Sequence, residues 1–386
     1  MQCAFRSLLA CGGSAVTTVA LVHEWLAGRS GSEKTFEQMA VAFPDADLFA
    51  LSREPGTSYD FDGRQVRTTW LDTPLFRRHR SLALPIMPFA WRSARSEVPS
   101  YDLVVTSSHA FANLAHVTKQ AKTVLSYCHT PARYLWLPGV DSRLGLAAVL
   151  AKPVRRALQE CDLRGAARVD RFAVNSHEVE TRVREFYGRD SEVIPPPVEV
   201  DFFSAFPEPQ IDERLPERFL LAISRWIEYK RLDLAIETAA QLEIPIVIAG
   251  SGPFEARLRS VAEATGADVR FFLSPTQDEL RELYSRASAV LFPAFEDFGI
   301  VPVEAQAAGT PVVAFGKGGA LDTVVNGETG VFALEQTVPA FASATESCLA
   351  LAEDPDTSLR CRANASGFSE ETFRRRLVAW AGDSHG

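Results

Sequence analysis

The stretch RFLLAISRWIEYKRLDLAIETAAQLEIPIVIAGSG (218–252) reads as strand, helix, strand. RFLLAISR and IPIVIAGSG are short, nearly continuous apolar runs, the composition of strands buried on both faces, while LDLAIETAAQL carries apolar residues at helical spacing. Strands joined through a helix lie parallel in one sheet. Downstream, FEARLRSVAEATG, VRFFLS, DELRELYSRA, AVLFPA, VPVEAQAAG and TPVVAF continue the alternation, predicting a doubly wound sheet.

Upstream, TTVALVH (17–23) reads as a buried first strand, followed by a loop with Gly28 and Gly31 and the helical pattern EKTFEQMAVAF. YDLVVTSS (101–108) and TVLSYCH (123–129) are two more strands, and their carboxyl ends deliver His109 and His129. Ligands of open α/β sheets gather at such ends. VIPPPVEVDFF (193–203) holds three consecutive prolines, which forbid a helix or a central strand and mark a domain boundary. The expected class is α/β with two Rossmann-like doubly wound domains, 15–194 and 195–367. The segment 368–386, containing SEETFRRRLVAWAG with an N-cap at Ser369, is expected to form a closing helix that returns to the N-terminal domain. A chain of 386 residues that is 46% apolar can fill two such cores.

The formal charge of −9 gives no reason to expect nucleic acid as a partner. Six cysteines (Cys3, Cys11, Cys128, Cys161, Cys348, Cys361) form no C-x-x-C pair and no histidines have zinc spacing, so reduced cytoplasmic thiols are expected. MQCAFRSLLACGG ends its apolar run in LLAC, which resembles a lipoprotein cleavage box at Cys11, but Arg6 interrupts a run already too short for a secretory signal. An over-long start or a frayed leader is the expectation for the first 14 or so residues. Nothing approaches the roughly 18 uncharged apolar residues of a membrane span.

The chemistry is concentrated in FEDFGIVPVEAQAAGTPVVAFGKGG (295–319). Glu296 follows a strand, Phe298-Gly299-Ile300 makes a turn, and Glu304 lies eight residues on, in the next helix. Amides at a helix N-terminus suit a diphosphate, because unpaired N–H groups and the helix dipole both favour negative charge. Two glutamates at this spacing would ordinarily be unremarkable surface groups. The whole pattern, with Gly318-Gly319 and NGETGVF (326–332), resembles the glutamate–seven residues–glutamate signature of the retaining GT-B glycosyltransferases of family 4.

What that resemblance implies is specific. Arg225 and Lys230 would hold the donor diphosphate, Gly252 in IAGSGP matches the family's glycine turn, and Gly31 in RSGSEK stands in a loop approaching the donor phosphates. That loop keeps one glycine of the family's pair, with Ser32 beside it. Glu296 would hold donor-sugar hydroxyls, Glu304 the ribose, and Phe298, Gly299 and Ile300 would line the donor site. Leu273 stands where relatives have a glycine, and Pro275 aligns with the neighbourhood of the nucleobase. VVTSSHAFANLAH and YCHTPARYLW resemble a subgroup of bacterial mannosyltransferases of O-antigen and exopolysaccharide assembly, which places His109 beside the transferred sugar. Without the resemblance, a histidine at a strand end is ordinarily structural. His129 and Arg133 would shape the acceptor side or serve packing alone.

The implied enzyme retains anomeric configuration, works from an interdomain cleft, and needs neither cofactor nor metal. Its expected partners are a nucleotide-sugar, GDP-mannose first, and a glycan or polyprenyl-linked acceptor, with a UDP-sugar as the alternative donor. A metal-dependent transferase would need an Asp-x-Asp motif at a strand end, and Asp45/Asp47, Asp60/Asp62 and Asp354/Asp356 all read as surface loops. A GT-B epimerase or phosphorylase, and a non-catalytic nucleotide-sugar-binding protein, are the other readings. FRRHRSLALPIMPFAWR (76–92) sets basic residues before Leu82, Leu84, Ile86, Met87, Phe89 and Trp91, a pattern for peripheral contact with the inner face of a membrane or else for a core segment with solvated arginines.

Overall fold

The computed structural model describes residues 17–28, 31–56, 59, 61–79, 83–137, 152–206, 208, 211 and 215–382; the readings placed on Cys3, Cys11, Asp60, Arg80 and Leu82 lie outside them. Two compact units result: Met1–Pro197 with Phe373–Gly386, and Val198–Thr372.

In the first unit, β1 (Val19–Leu26), β2 (Asp47–Arg53), β3 (Val66–Arg67), β4 (Tyr101–Ser108), β5 (Ala121–Cys128), β6 (Arg171–Val174) and β7 (Ser191–Val193) form one sheet. Its order is β3-β2-β1-β4-β5-β6-β7, with every pairing parallel. The order reverses direction between β1 and β4, so connections leave to opposite sides there and open a crevice at the carboxyl ends. Side chains alternate across the sheet. Leu21, Val105, Leu125 and Tyr127 pack with Phe36 and Met39 on one face, whereas Ala20, Val22 and Val104 pack with Leu84, Met87 and Trp91 on the other.

Strand β1 runs three residues beyond the apolar run that predicts it, carrying Glu24 into the interior beside His23. The helix Glu370–Gly382 buries Phe373, Leu377, Trp380 and Ala381, which recur at helical spacing, in the same core as Leu21 and Phe36. Ser369 Oγ accepts from Thr372 N (3.3 Å), and Arg376 Nη2 donates to Val193 O (2.6 Å). Phe373 meets Tyr127 edge to face at 5.7 Å.

The segment 76–92 needs correction. Leu84, Met87 and Trp91 are core residues of the first unit and Ile86 packs against them, so none is free to enter a lipid surface. Arg77 is tied to Asp72 through Nε at 2.7 Å. What stays exposed is Phe89, with Arg92 stacked over its ring, together with Leu75 and the more distant Trp70.

The second unit holds β8 (Leu220–Arg225), β9 (Ile246–Ser251), β10 (Val269–Leu273), β11 (Ala289–Phe292), β12 (Val312–Phe315) and β13 (Gly330–Ala333), ordered β10-β9-β8-β11-β12-β13 and parallel throughout. The reversal here lies between β8 and β11. Helices Leu232–Leu242, Glu255–Thr265, Gln277–Arg286, Ile300–Ala308 and Val338–Ala352 alternate with the strands. Among the described residues no helix is long and apolar enough to cross a membrane, and no group of His, Cys, Asp and Glu is arranged to hold a metal ion.

Trp380→Ala removes a large aromatic from the first unit's core, and such truncations cost about 3–5 kcal/mol. Equilibrium urea denaturation should show a loss of that size. A loss under about 1 kcal/mol would mean that the closing helix adds little to the unit.

Candidate functional site

Functional side chains gather at the carboxyl ends of the strands flanking each reversal. In the second unit, β8 ends at Arg225, which is exposed, and a 3₁₀ turn Glu228–Lys230 follows. The turn after β9 lies directly against this connection: Trp226 N donates to Ser251 O (2.9 Å), and a Cβ on Gly252 would sit 2.4 Å from Trp226 O. Only glycine permits that approach, which keeps the 225–230 segment over the sheet end.

The second close approach is at Gly319. A Cβ there would lie 2.2 Å from Phe298 Cα and 2.3 Å from Phe298 O, while Gly319 N donates to Glu296 O (2.9 Å). The paired glycines therefore clamp the Glu296–Phe298 backbone against the sheet end. Phe298 is buried in the core, and Gly299 (φ 90°) starts the helix Ile300–Ala308. Lys230 Nζ pairs directly with Glu296 Oε1, and both side chains are largely buried. Charge-assisted contacts of this kind are strong but leave both groups able to exchange partners.

Glu304 projects from that helix, and its Oε2 accepts from Tyr284 OH (2.7 Å). Burial, and then the Glu304 carboxylate, pushes the Tyr284 phenol well above its ordinary value, so it stays protonated and donates. Pro275 follows the end of β10. The position there with glycine-like geometry is Ser274 (φ 49°), rather than Leu273, which is an exposed strand residue. Ser274 Oγ donates to Ser251 Oγ (3.0 Å), which offsets some of the strain.

In the first unit, His109 and His129 converge, with ring centroids 6.0 Å apart. The sequence reading missed two partners from β1. His23 lies 5.7 Å from His109, and its Nδ1 is 3.2 Å from Ser107 O and 3.0 Å from Ser107 Oγ. A carbonyl only accepts, so the Nδ1 of His23 carries its proton; Ser107 Oγ also lies 2.8 Å from His129 Nε2. Burial lowers the basicity of His23, opposed by Glu24, and takes that of His129 well below the usual imidazole range, with His109 adding to both shifts.

Glu24 is the other partner. Its Oε1 accepts from Ser108 Oγ (3.2 Å) and from the amides of His109 (3.2 Å), Ala110 (2.9 Å) and Ala112 (3.0 Å), while Oε2 stands 3.2 Å from His109 Nδ1. The signal in the sequence is the pair His23-Glu24 continuing an apolar strand. Gly31 opens the helix Gly31–Ala42 and accepts from Thr35 Oγ1 (2.8 Å), and Arg133 opens the short helix Arg133–Trp136.

Both halves of the sequence match known families. A model described as Glycosyltransferase Family 4 matches residues 29–202, and one described as Glycosyl transferases group 1 matches 206–367. D-inositol 3-phosphate glycosyltransferase of Geodermatophilus obscurus is 33% identical over 256 residues, 60% of this chain and 56% of the relative. The protein of that name from Mycobacterium bovis is 31% identical over 229 residues, 54% of this chain and 48% of its own. The chain thus spans about half the length of these curated relatives. Among solved structures, HepE of Anabaena in complex with UDP aligns with a TM-score of 0.68 at 17% identity, over 95% of this chain and 100% of that one. Sucrose-phosphate synthase of Thermosynechococcus elongatus aligns at 0.73 and 18% identity, over 94% and 98%. These structures share the fold, the two models account for both halves of the sequence, and the chain belongs to the GT-B glycosyltransferase family.

Proposed function

We propose that the protein is a retaining, metal-independent glycosyltransferase that moves a hexose from a nucleotide-sugar to a hydroxyl of a glycan or polyprenyl-linked acceptor. The observation that carries this reading is the cluster at the second unit's reversal: Arg225, Lys230, Glu296 and the amides at Gly299 and Ile300 share one sheet end, with Glu304 on the following helix. Cationic side chains and helix-end amides are the groups that stabilise a departing diphosphate.

In the reaction, the bond from the sugar's anomeric carbon to the phosphate oxygen breaks and its electron pair leaves with the nucleoside diphosphate. The acceptor oxygen bonds the anomeric carbon on the same face, and its proton passes to the departing phosphate oxygen. No protein nucleophile is consumed. Arg225 and Lys230 bind the diphosphate, Glu296 the sugar hydroxyls, Glu304 the ribose and His109 the sugar near its reacting carbon, with His129 and Arg133 toward the acceptor. GDP-mannose is the first donor to test. A UDP-sugar is the second, since HepE, of the same fold, binds UDP. The name of the curated relatives adds inositol 3-phosphate as an acceptor to try.

A thermal-shift panel of GDP-, UDP- and ADP-sugars identifies the donor, because a ligand at a hundred times its Kd adds about 2.7 kcal/mol of stability. Donor consumption with acceptor should then continue in excess EDTA. Loss in EDTA with rescue by Mn²⁺ would return the Asp-x-Asp reading, and stabilisation without turnover would make the protein a binding module.

Glu304→Ala should weaken nucleoside diphosphate binding about 10- to 100-fold, the worth of hydrogen bonds to a charged group. Glu304→Gln, which keeps an acceptor for Tyr284, separates this loss from damage to the helix. Glu296→Ala should depress turnover strongly yet bind nucleoside diphosphate no more weakly, because it releases Lys230. Calorimetry checks both, and weaker binding by Glu296→Ala would reverse the assignment.

Contact with the inner face of a membrane, where a polyprenyl-linked acceptor resides, is proposed through Leu75 and Phe89 with Arg78 and Arg92, all exposed. Co-sedimentation should require anionic vesicles, fall with salt, and drop when Arg78 and Arg92 become Ser. Equal sedimentation of that variant would end this part of the proposal.

A further inference from the structure

Glu24 has no role in the reading above, yet it is wholly buried at the end of β1 and collects the donors of an entire turn. Four hydrogen bonds from the 108–112 turn converge on Oε1, and Oε2 faces His109 Nδ1 at 3.2 Å. One side chain thus fixes the backbone of His109 and stands beside its ring. Trp25, next along the strand, meets the same ring edge to face at 4.5 Å.

The two oxygens separate structure from chemistry. The turn needs only an acceptor at Oε1, which a neutral amide would supply equally well. At Oε2 a carboxylate favours a proton on the facing imidazole nitrogen, whereas an amide group would present N–H and favour a lone pair there. Burial raises the carboxyl group of Glu24 above its usual range, opposed by His23 and by the amides of Ala112, Ala110 and His109.

We propose that Glu24 is a positioning residue for His109: it holds the 108–112 turn and the imidazole as one unit, with the proton on Nδ1 between ring and carboxylate, so that Nε2 carries the lone pair. This deepens the reading in which His109 lies beside the transferred sugar and rests on it. The tautomer sets whether that ring meets a sugar hydroxyl as acceptor or as donor at Nε2.

The test is the tautomer of His109 from long-range ¹H–¹⁵N spectra of histidine-labelled protein, with the signal assigned by loss in His109→Asn. The parent should show Nδ1–H. Glu24→Gln should keep its circular dichroism spectrum and shift His109 to Nε2–H. It should also lower kcat roughly 10-fold or more, on the scale of lost proton-positioning effects, with nucleoside diphosphate affinity unchanged. The double variant with His109→Asn should be no slower than His109→Asn alone. An Nε2–H parent overturns the proposal without any variant having to fold. So does a Glu24→Gln protein with the parental tautomer or with full kcat. Because the tautomer is read in the free protein, absence of sugar transfer would count against the functional reading and leave this test standing.

Discussion

Both units obey one constraint: parallel strands whose order runs outward in two directions from a central strand. Helices crossing to opposite faces cannot cover the carboxyl ends where the directions part, so polar groups can collect there without breaking a core. In the first unit that place lies between β1 and β4, and His23, Glu24, Ser107 and His109 stand at it. In the second it lies between β8 and β11, with Arg225, Lys230 and Glu296. The apolar alternation that builds each sheet is what makes the polar ends available.

The two ends solve the same electrostatic problem differently. The second unit places opposite charges together, Lys230 against Glu296. Its precision comes from backbone: Gly252 and Gly319 admit approaches that any Cβ would block, so the loops bearing the charges are set by main-chain contact. The first unit instead lowers the basicity of His23 and His129 by burial and brings both rings against Ser107.

Elements with strong local signals were legible in the sequence. The strand YDLVVTSS and the helix at the C-terminus follow from apolar spacing, and the signature around Glu296 and Glu304 stands in one continuous stretch. Tertiary partners were not. Tyr284 reaches Glu304 across 20 residues, and Glu24 finds its donors 84 to 88 residues away, distances at which sequence pattern carries no information. The apolar pattern also stops at His23, so Glu24 reads as the start of a loop although it continues the strand. At 76–92 the same ambiguity had the opposite result: Leu84, Met87 and Trp91 fit a surface stripe or a core equally well, and core packing took them.

Burial explains why the Glu24 arrangement holds together. A lone carboxylate inside a protein is strongly disfavoured unless it is hydrogen-bonded, and Glu24 collects four such bonds within one turn of chain. Such turns ordinarily leave amides to water. Here a carboxylate from the neighbouring strand collects them, so the turn can stay rigid while exposing only part of His109. The contacts at Oε1 thus offset much of the cost of burial and close the strand end, while Oε2 is left to stand beside the ring.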